Sequence, residues 1–139
     1  MAAALTASPS TGEFDFNWTQ ITDVEITVGD ATRNVRGAAT TLHHIAADNG
    51  QTSGANAWVK LYDDVSNALV AGTTAPDFVF PVQAGVVSST SAFSKGRFGL
   101  VCVEGAPFVN GLSVLASTED GNAMVSAPTK PVDVVVITN

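Results

Sequence analysis

The sequence predicts an all-β protein: an antiparallel β-sandwich of about eight strands, of the jelly-roll or Greek-key type, with an extended N-terminal arm. Three observations predict this class. The chain has 19 Val and 15 Thr against 7 Leu, and such β-branched residues favour pleated surfaces over helices. Short apolar runs alternate with turns rich in Gly, Pro, Asn and Asp. The long helical spacers that a parallel sheet needs between its strands are missing.

Length and composition indicate one folded domain. The 139 residues are 45% hydrophobic, which is enough for a core, and the net charge of −7 argues against a nucleic-acid partner. Cys102 is the single cysteine, so an internal disulfide is excluded. No apolar run reaches the ~18 residues of a membrane span, and the N-terminus lacks a secretion signal, so we expect a soluble protein that contacts no membrane.

The first 20 residues read as an extended arm, and residues 21–139 as the sandwich domain. Phe14, Phe16 and Trp18 recur at every second position and would share one face of an extended segment. Two interpretations stay open: the arm packs across its own domain, or it docks on a neighbouring subunit. We predict that the three rings bind a partner.

The first strands of the domain follow in order. Residues 21–28 alternate apolar and polar side chains and predict a half-buried strand, and residues 39–47 predict the next. In that second strand His43 and His44 are adjacent, so they point to opposite faces and cannot chelate one metal ion together. At most one of the two is expected to be buried.

The remaining strands lie between clear turns. Residues 57–62 form a strong strand, and residues 78–80 a short one that Pro81 places at a sheet edge or a strand end. Four further candidates span residues 85–94, 97–104, 111–117 and 132–138.

The chain has no motif of a known catalytic centre. Cys102 lies in an apolar strand and is expected to be a buried, inert thiol. His43 or His44 could serve as a base, but no nucleophile motif accompanies them. We therefore predict a protein that is not an enzyme. An enzyme that uses one of these histidines as a base remains an alternative.

Two acidic clusters could offer oxygen ligands to Ca²⁺. They are Asp63-Asp64 and the segment 119–122, and both are typical of solvated turns. We expect neither a metal nor a cofactor.

Trp58 and Tyr62 share one face of the strand at residues 57–62, with Lys60 between them. Such a face is more often core, but an exposed pair of rings would suit a carbohydrate-binding module. A carbohydrate-binding module is therefore an alternative function, and both rings are candidate partner-binding residues.

Four segments resemble small structural proteins of tailed bacteriophages. They are residues 58–63 (WVKLYD), 71–76 (AGTTAP), 80–85 (FPVQAG) and 93–100 (FSKGRFGL), and they occur in the order found in that group. The likeness covers roughly residues 40–138 and leaves out the arm.

The resemblance implies a capsid decoration or cement protein that stabilises the phage head. It implies two partners, the major capsid protein and further copies of this chain, with a trimer as one closed arrangement. The protein would be made in the host cytoplasm and lie on the capsid exterior. A tail or fibre-associated virion protein is the nearest alternative, and no catalytic residue carries over.

Overall fold

The computed structural model describes residues 5–9, 17–21, 33–49, 56–64, 72–84, 86–87, 93–94, 96–121 and 132–139. In these segments the chain forms eleven strands and no helix, which confirms the all-β prediction. The strands are β1 Leu5–Pro9, β2 Asn17–Ile21, β3 Arg33–Arg36, β4 Thr40–Asn49, β5 Ala57–Asp63, β6 Phe78–Val82, β7 Val86–Val87, β8 Phe93–Ser94, β9 Gly96–Phe108, β10 Leu112–Ser117 and β11 Val132–Thr138.

Two antiparallel sheets carry most of these strands. The first has the order β1-β2-β11-β4-β9 and the second the order β3-β10-β5-β6, while β7 and β8 pair with each other. Every strand pair in the described segments is antiparallel. In this topology β9 and β6 each form an outer strand of a sheet.

Three strands of each sheet build a common core. They are β11, β4 and β9 in the first sheet and β10, β5 and β6 in the second, and their buried side chains form a single hydrophobic cluster. The members are Leu42, Ile45, Ala47, Ala57, Val59, Leu61, Val82, Phe108, Leu112, Val114, Ala116, Val132, Val134 and Val136. Because this cluster draws on both sheets, it ties them together.

Alternation along β11 shows how the sequence places one face inside. Val132, Val134 and Val136 are buried, whereas Asp133 and Val135 are partly exposed. Side chains on successive residues of a strand point to opposite faces, so an alternating pattern gives one buried face. By contrast, all six residues of β10 are buried, so both faces of that strand are covered.

Two polar contacts also join the sheets. The Asn49 side-chain amide in β4 donates to the Val82 carbonyl in β6 over 3.0 Å, and Asn49 is fully buried. Arg36 Nε in β3 donates to Thr138 Oγ1 in β11, also over 3.0 Å. Buried amides require partners of this kind, so the two bonds hold the sheets in a defined relative position.

Several sequence-based boundaries can be compared with these strands. The strands predicted at residues 57–62 and 132–138 correspond to β5 and β11, and Pro81 lies in the outer strand β6, as predicted. In the segment predicted to be an arm, β1 and β2 pair with each other, and β2 pairs with β11. Most of the strand predicted at residues 21–28 lies outside the described residues.

Candidate functional site

Large apolar side chains are exposed on β6, on β9 and directly after β9. In the described part of the chain they are Phe78, Leu100, Val101, Val103 and Val109, with exposed fractions from 36% to 90%. Phe78 belongs to β6, the next three to β9, and Val109 directly follows β9. We call the four residues on β6 and β9 the apolar edge. Exposed apolar side chains grouped in this way are typical of protein contact surfaces.

Aromatic contacts hold β6 and β9 against each other. Phe80 of β6 stacks on Phe98 of β9 with ring centroids 4.9 Å apart. Phe78 lies 6.3 Å from Phe80 and 6.1 Å from Phe108, again between ring centroids. A small cleft of about 20 Å³ opens between the strands. Its lining is apolar throughout: Leu42, Leu61, Phe78, Phe80, Leu100, Cys102 and Ala106.

A bulge shapes the middle of β9. Leu42 of β4 pairs with Ala106, but His44 pairs with Val101, so residues 102–105 of β9 lie opposite His43 alone. Extra residues in one strand push the backbone outward. Val103 lies in this bulge and is 90% exposed.

Gly105 permits the return of the chain from the bulge. Its φ of +81° lies in the left-handed region, which favours glycine. A Cβ atom at this position would collide with Thr41 Cγ2 and lie 3.2 Å from His43 Cε1. The bulge therefore depends on glycine both for its backbone angle and for its packing.

The edge strand has almost no charge. Between residues 96 and 109 the sequence has one basic residue, Arg97, and one acidic residue, Glu104. Arg97 Nε lies 3.2 Å from Asp48 Oδ1, and its side chain is 78% exposed. The strand is thus neutral in a chain whose net charge is −7.

Backbone pairing adds to these side chains. Within the described segments β9 pairs with β4 alone and ends its sheet. An unpaired strand edge presents N–H and C=O groups on which another strand can add. The arrangement is therefore suited to binding an extended polypeptide.

Trp58 and Tyr62 do not form an exposed pair of rings. Trp58 is partly exposed, but Tyr62 is 1% exposed. Burial raises the pKa of Tyr62 to about 12. Lys60 between them is also buried, and burial lowers the pKa of its ammonium group while the nearby Glu119 and Asp120 raise it. A sugar could therefore not stack on both rings of this face.

The arm residues are placed only in part. Phe14 and Phe16 lie outside the described residues. The backbone of Trp18 belongs to β2, where it pairs with Ser8 and with Ile137. Residues 17–21 thus form a strand of the first sheet.

The candidate reactive residues are not brought into a common site. His43 and His44 are each partly exposed, in agreement with the expectation that at most one is buried. Cys102 is partly exposed as well, so the prediction of a buried thiol is wrong. Its strand lies at the sheet edge, which leaves one side of the backbone uncovered. The described residues contain no group of three or more His, Cys, Asp or Glu that could hold a metal ion.

Asp63 has a structural role in its turn. Its carboxylate Oδ1 accepts a hydrogen bond from the Asn110 backbone N–H over 2.6 Å, and its own N–H donates to Asp77 Oδ2 over 2.6 Å. The Ser113 hydroxyl donates to the Asp64 carbonyl over 3.2 Å. These bonds join the end of β5 to the turn before β6, to the turn before β10 and to β10 itself.

Comparisons with known proteins identify no relative. No protein-family model, curated protein or solved structure matches the chain. No helix in the described segments is long and apolar enough to cross a membrane.

The apolar edge is absent from the sequence-based predictions, which give residues 97–104 as a strand and Cys102 as a buried thiol. One signal was available: four consecutive apolar residues followed by Glu104-Gly105 give no alternation, so neither face is marked as the outer one.

Proposed function

We propose that this protein is a structural virion component, a capsid decoration protein that binds the major capsid protein and its own copies and stabilises the phage head. The observation that carries the proposal is the apolar edge. All the large apolar side chains exposed in the described segments lie on β6, on β9 or directly after β9. A surface of this kind serves protein contacts, and many weak contacts repeated by symmetry can stabilise a shell.

The composition also supports an assembly role. Only 14% of the residues are charged, which favours close packing against neighbouring proteins. The resemblance of residues 58–63, 71–76, 80–85 and 93–100 to phage structural proteins supplies the virion context.

We also propose that the two sheets form a β-sandwich of the jelly-roll or Greek-key type. The shared core, the Phe80 to Phe98 stacking and the bond from Asn49 to Val82 support two sheets packed face to face. A crystal structure that placed the two sheets in separate cores would contradict this architecture.

Copy number tests the virion assignment. Particles that copurify with this chain are analysed by quantitative mass spectrometry against their major capsid protein. A stoichiometry comparable to that of the capsid protein supports a decoration protein, and a handful of copies per particle indicates the tail alternative. Failure of any particle to copurify with the chain would contradict both.

The arm is tested with substitutions, because removing residues 17–21 would take β2 out of the sheet. We expect that the double substitution Phe14→Ser and Phe16→Ser leaves the β domain folded and abolishes its attachment to capsids. Val109→Ser, which also removes an exposed apolar side chain, is the matched control. Undiminished capsid occupancy by the double variant would exclude the arm as the attachment site.

A further inference from the structure

We propose that the apolar edge is where two copies of this chain meet, with β9 of one copy pairing antiparallel to β9 of the other and joining their sheets. This inference rests on the proposal that the apolar edge is an assembly surface. It names the occupant of that surface as a second copy, while the capsid protein would be bound elsewhere.

The shape of the edge favours an added strand. At the start of β9 another part of the chain already covers the backbone: Gly96 lies so close to the Gln83 carbonyl that a Cβ atom would overlap it. Five of the six residues from Gly99 to Glu104 are exposed, and Cys102 is partly exposed. The other outer strands are shorter: β3 has four residues, and β1 and β6 have five each and contain Pro9 and Pro81, which lack an N–H to donate. The longer β9 is therefore the better template.

The residue pattern of β9 favours a second copy in the antiparallel direction. With a two-fold axis at Val101, Val103 of each copy, which is 90% exposed, lies opposite Gly99 of the other, which has no side chain. Arg97 and Glu104 lie at opposite ends of the apolar run, so a parallel pair would place like charges side by side, which is destabilising. The antiparallel pair avoids this, with Arg97 of one copy and Glu104 of the other on opposite faces.

The apolar side chains fit the same arrangement. Leu100 lines the cleft together with Cys102, whereas Val101 and Val103 are 65% and 90% exposed. A two-fold axis at this position places Leu100, Val101 and Cys102 opposite the same three residues in the partner, so both copies lose exposed apolar area at once. A partner rich in basic residues would instead be attracted to the acidic remainder of the chain.

Sedimentation analysis of the full chain tests the inference. We expect the wild type to form a dimer that dissociates on dilution, and Val101→Lys to raise the dissociation constant at least about tenfold, because two like charges then meet across the axis. Val109→Lys places the same charge on a residue that is 70% exposed and lies outside β9, and should change the constant by less than about twofold. Circular dichroism verifies that both variants fold.

The single cysteine reports the position of the contact. Cys102 is partly exposed and lies within two residues of the proposed axis. A short bis-maleimide should join two copies through Cys102 in the wild type, much less in Val101→Lys, and not at all in Cys102→Ser.

The outcomes separate this inference from the proposed function. A wild type that is monomeric at every concentration but binds particles overturns the inference alone. So does a dimer that Val101→Lys and Val109→Lys weaken equally. A dimer sensitive to Val101→Lys whose chain binds no particle supports the inference and contradicts only the virion role.

Discussion

Tyr62 is kept neutral by its surroundings. Burial raises its pKa to about 12, because the phenolate would lose its hydration inside the protein. Lys60 on the same face of β5 is affected in the opposite direction: burial lowers its pKa and so favours the uncharged amine, against the attraction of Glu119 and Asp120. In both residues, withdrawal from water favours the neutral form. The face that the sequence left open between core and sugar platform therefore belongs to the interior.

Titration of Tyr62 follows from this placement. The chain has one tyrosine, so tyrosinate absorbance reports it alone, and we expect a native midpoint of about 12 against about 10 in urea. Because the folded pKa is raised, the stabilising contribution is complete below pH ~10 and is lost as the pH rises through the folded value. Unfolding of Tyr62→Phe should lack this alkaline loss. A native midpoint near 10 would show that the ring is exposed.

Gly105 gives a second prediction at a single residue. Gly105→Ala should lower the free energy of unfolding by about 1–2 kcal/mol for the left-handed backbone, plus about 1–3 kcal/mol for the collision with Thr41. Gly121→Ala is the matched control: its φ is +58°, but a Cβ there would meet nothing within 4 Å. Urea denaturation measures both. Equal losses would mean that the packing around the bulge contributes nothing.

Among the strands, the buried face could be predicted from the sequence where apolar residues occupy every second position, and could not be predicted where such alternation is missing. β11 could be predicted because valines at every second position mark one buried face. β9 was predicted five residues too short, and its exposure was missed, because the run from Leu100 to Val103 is apolar on both faces and its pairing partner β4 is remote in sequence. The bulge opposite His43 depends on that remote partner, so no local pattern announces it. An apolar residue at a sheet edge has the same sequence signature as one in a core.

The ring contact between β6 and β9 can be measured as a coupling between strands. In a double-mutant cycle of Phe80→Leu and Phe98→Leu, we expect the paired loss to be smaller than the sum of the single losses by about 0.5–1.5 kcal/mol, because the rings stack at 4.9 Å. Phe98→Leu combined with Val109→Ala is the control, since Phe98 lies near the start of β9 and Val109 directly after its end, so the two losses should be additive. Additivity in the Phe80 cycle would remove this contact as a link between the sheets.

At the scale of the whole molecule, the core is shielded from solvent, whereas an open side formed by β6 and β9 exposes apolar side chains. A single cluster of buried side chains unites both sheets, while the exposed large apolar residues of the described segments gather on β6, β9 and the residue after β9. The open side is neutral, yet each copy carries a net charge of −7. Association through this side therefore combines a local apolar attraction with a long-range repulsion between the acidic bodies.

This opposition makes the salt dependence of self-association a decisive measurement. Screening acts over a Debye length of ~30 Å at 0.01 M salt but ~10 Å at 0.1 M, so added salt weakens the repulsion between two copies and leaves apolar burial intact. Arg97 and Glu104 are exposed, and attraction between exposed charges of this kind contributes at most about 1 kcal/mol, too little to reverse this trend. We expect the dimer dissociation constant, measured by sedimentation, to fall as salt rises from 0.01 to 0.1 M. A constant that rises instead would mean that ion pairs hold the copies together, and the Val101-centred contact between β9 strands would have to be given up.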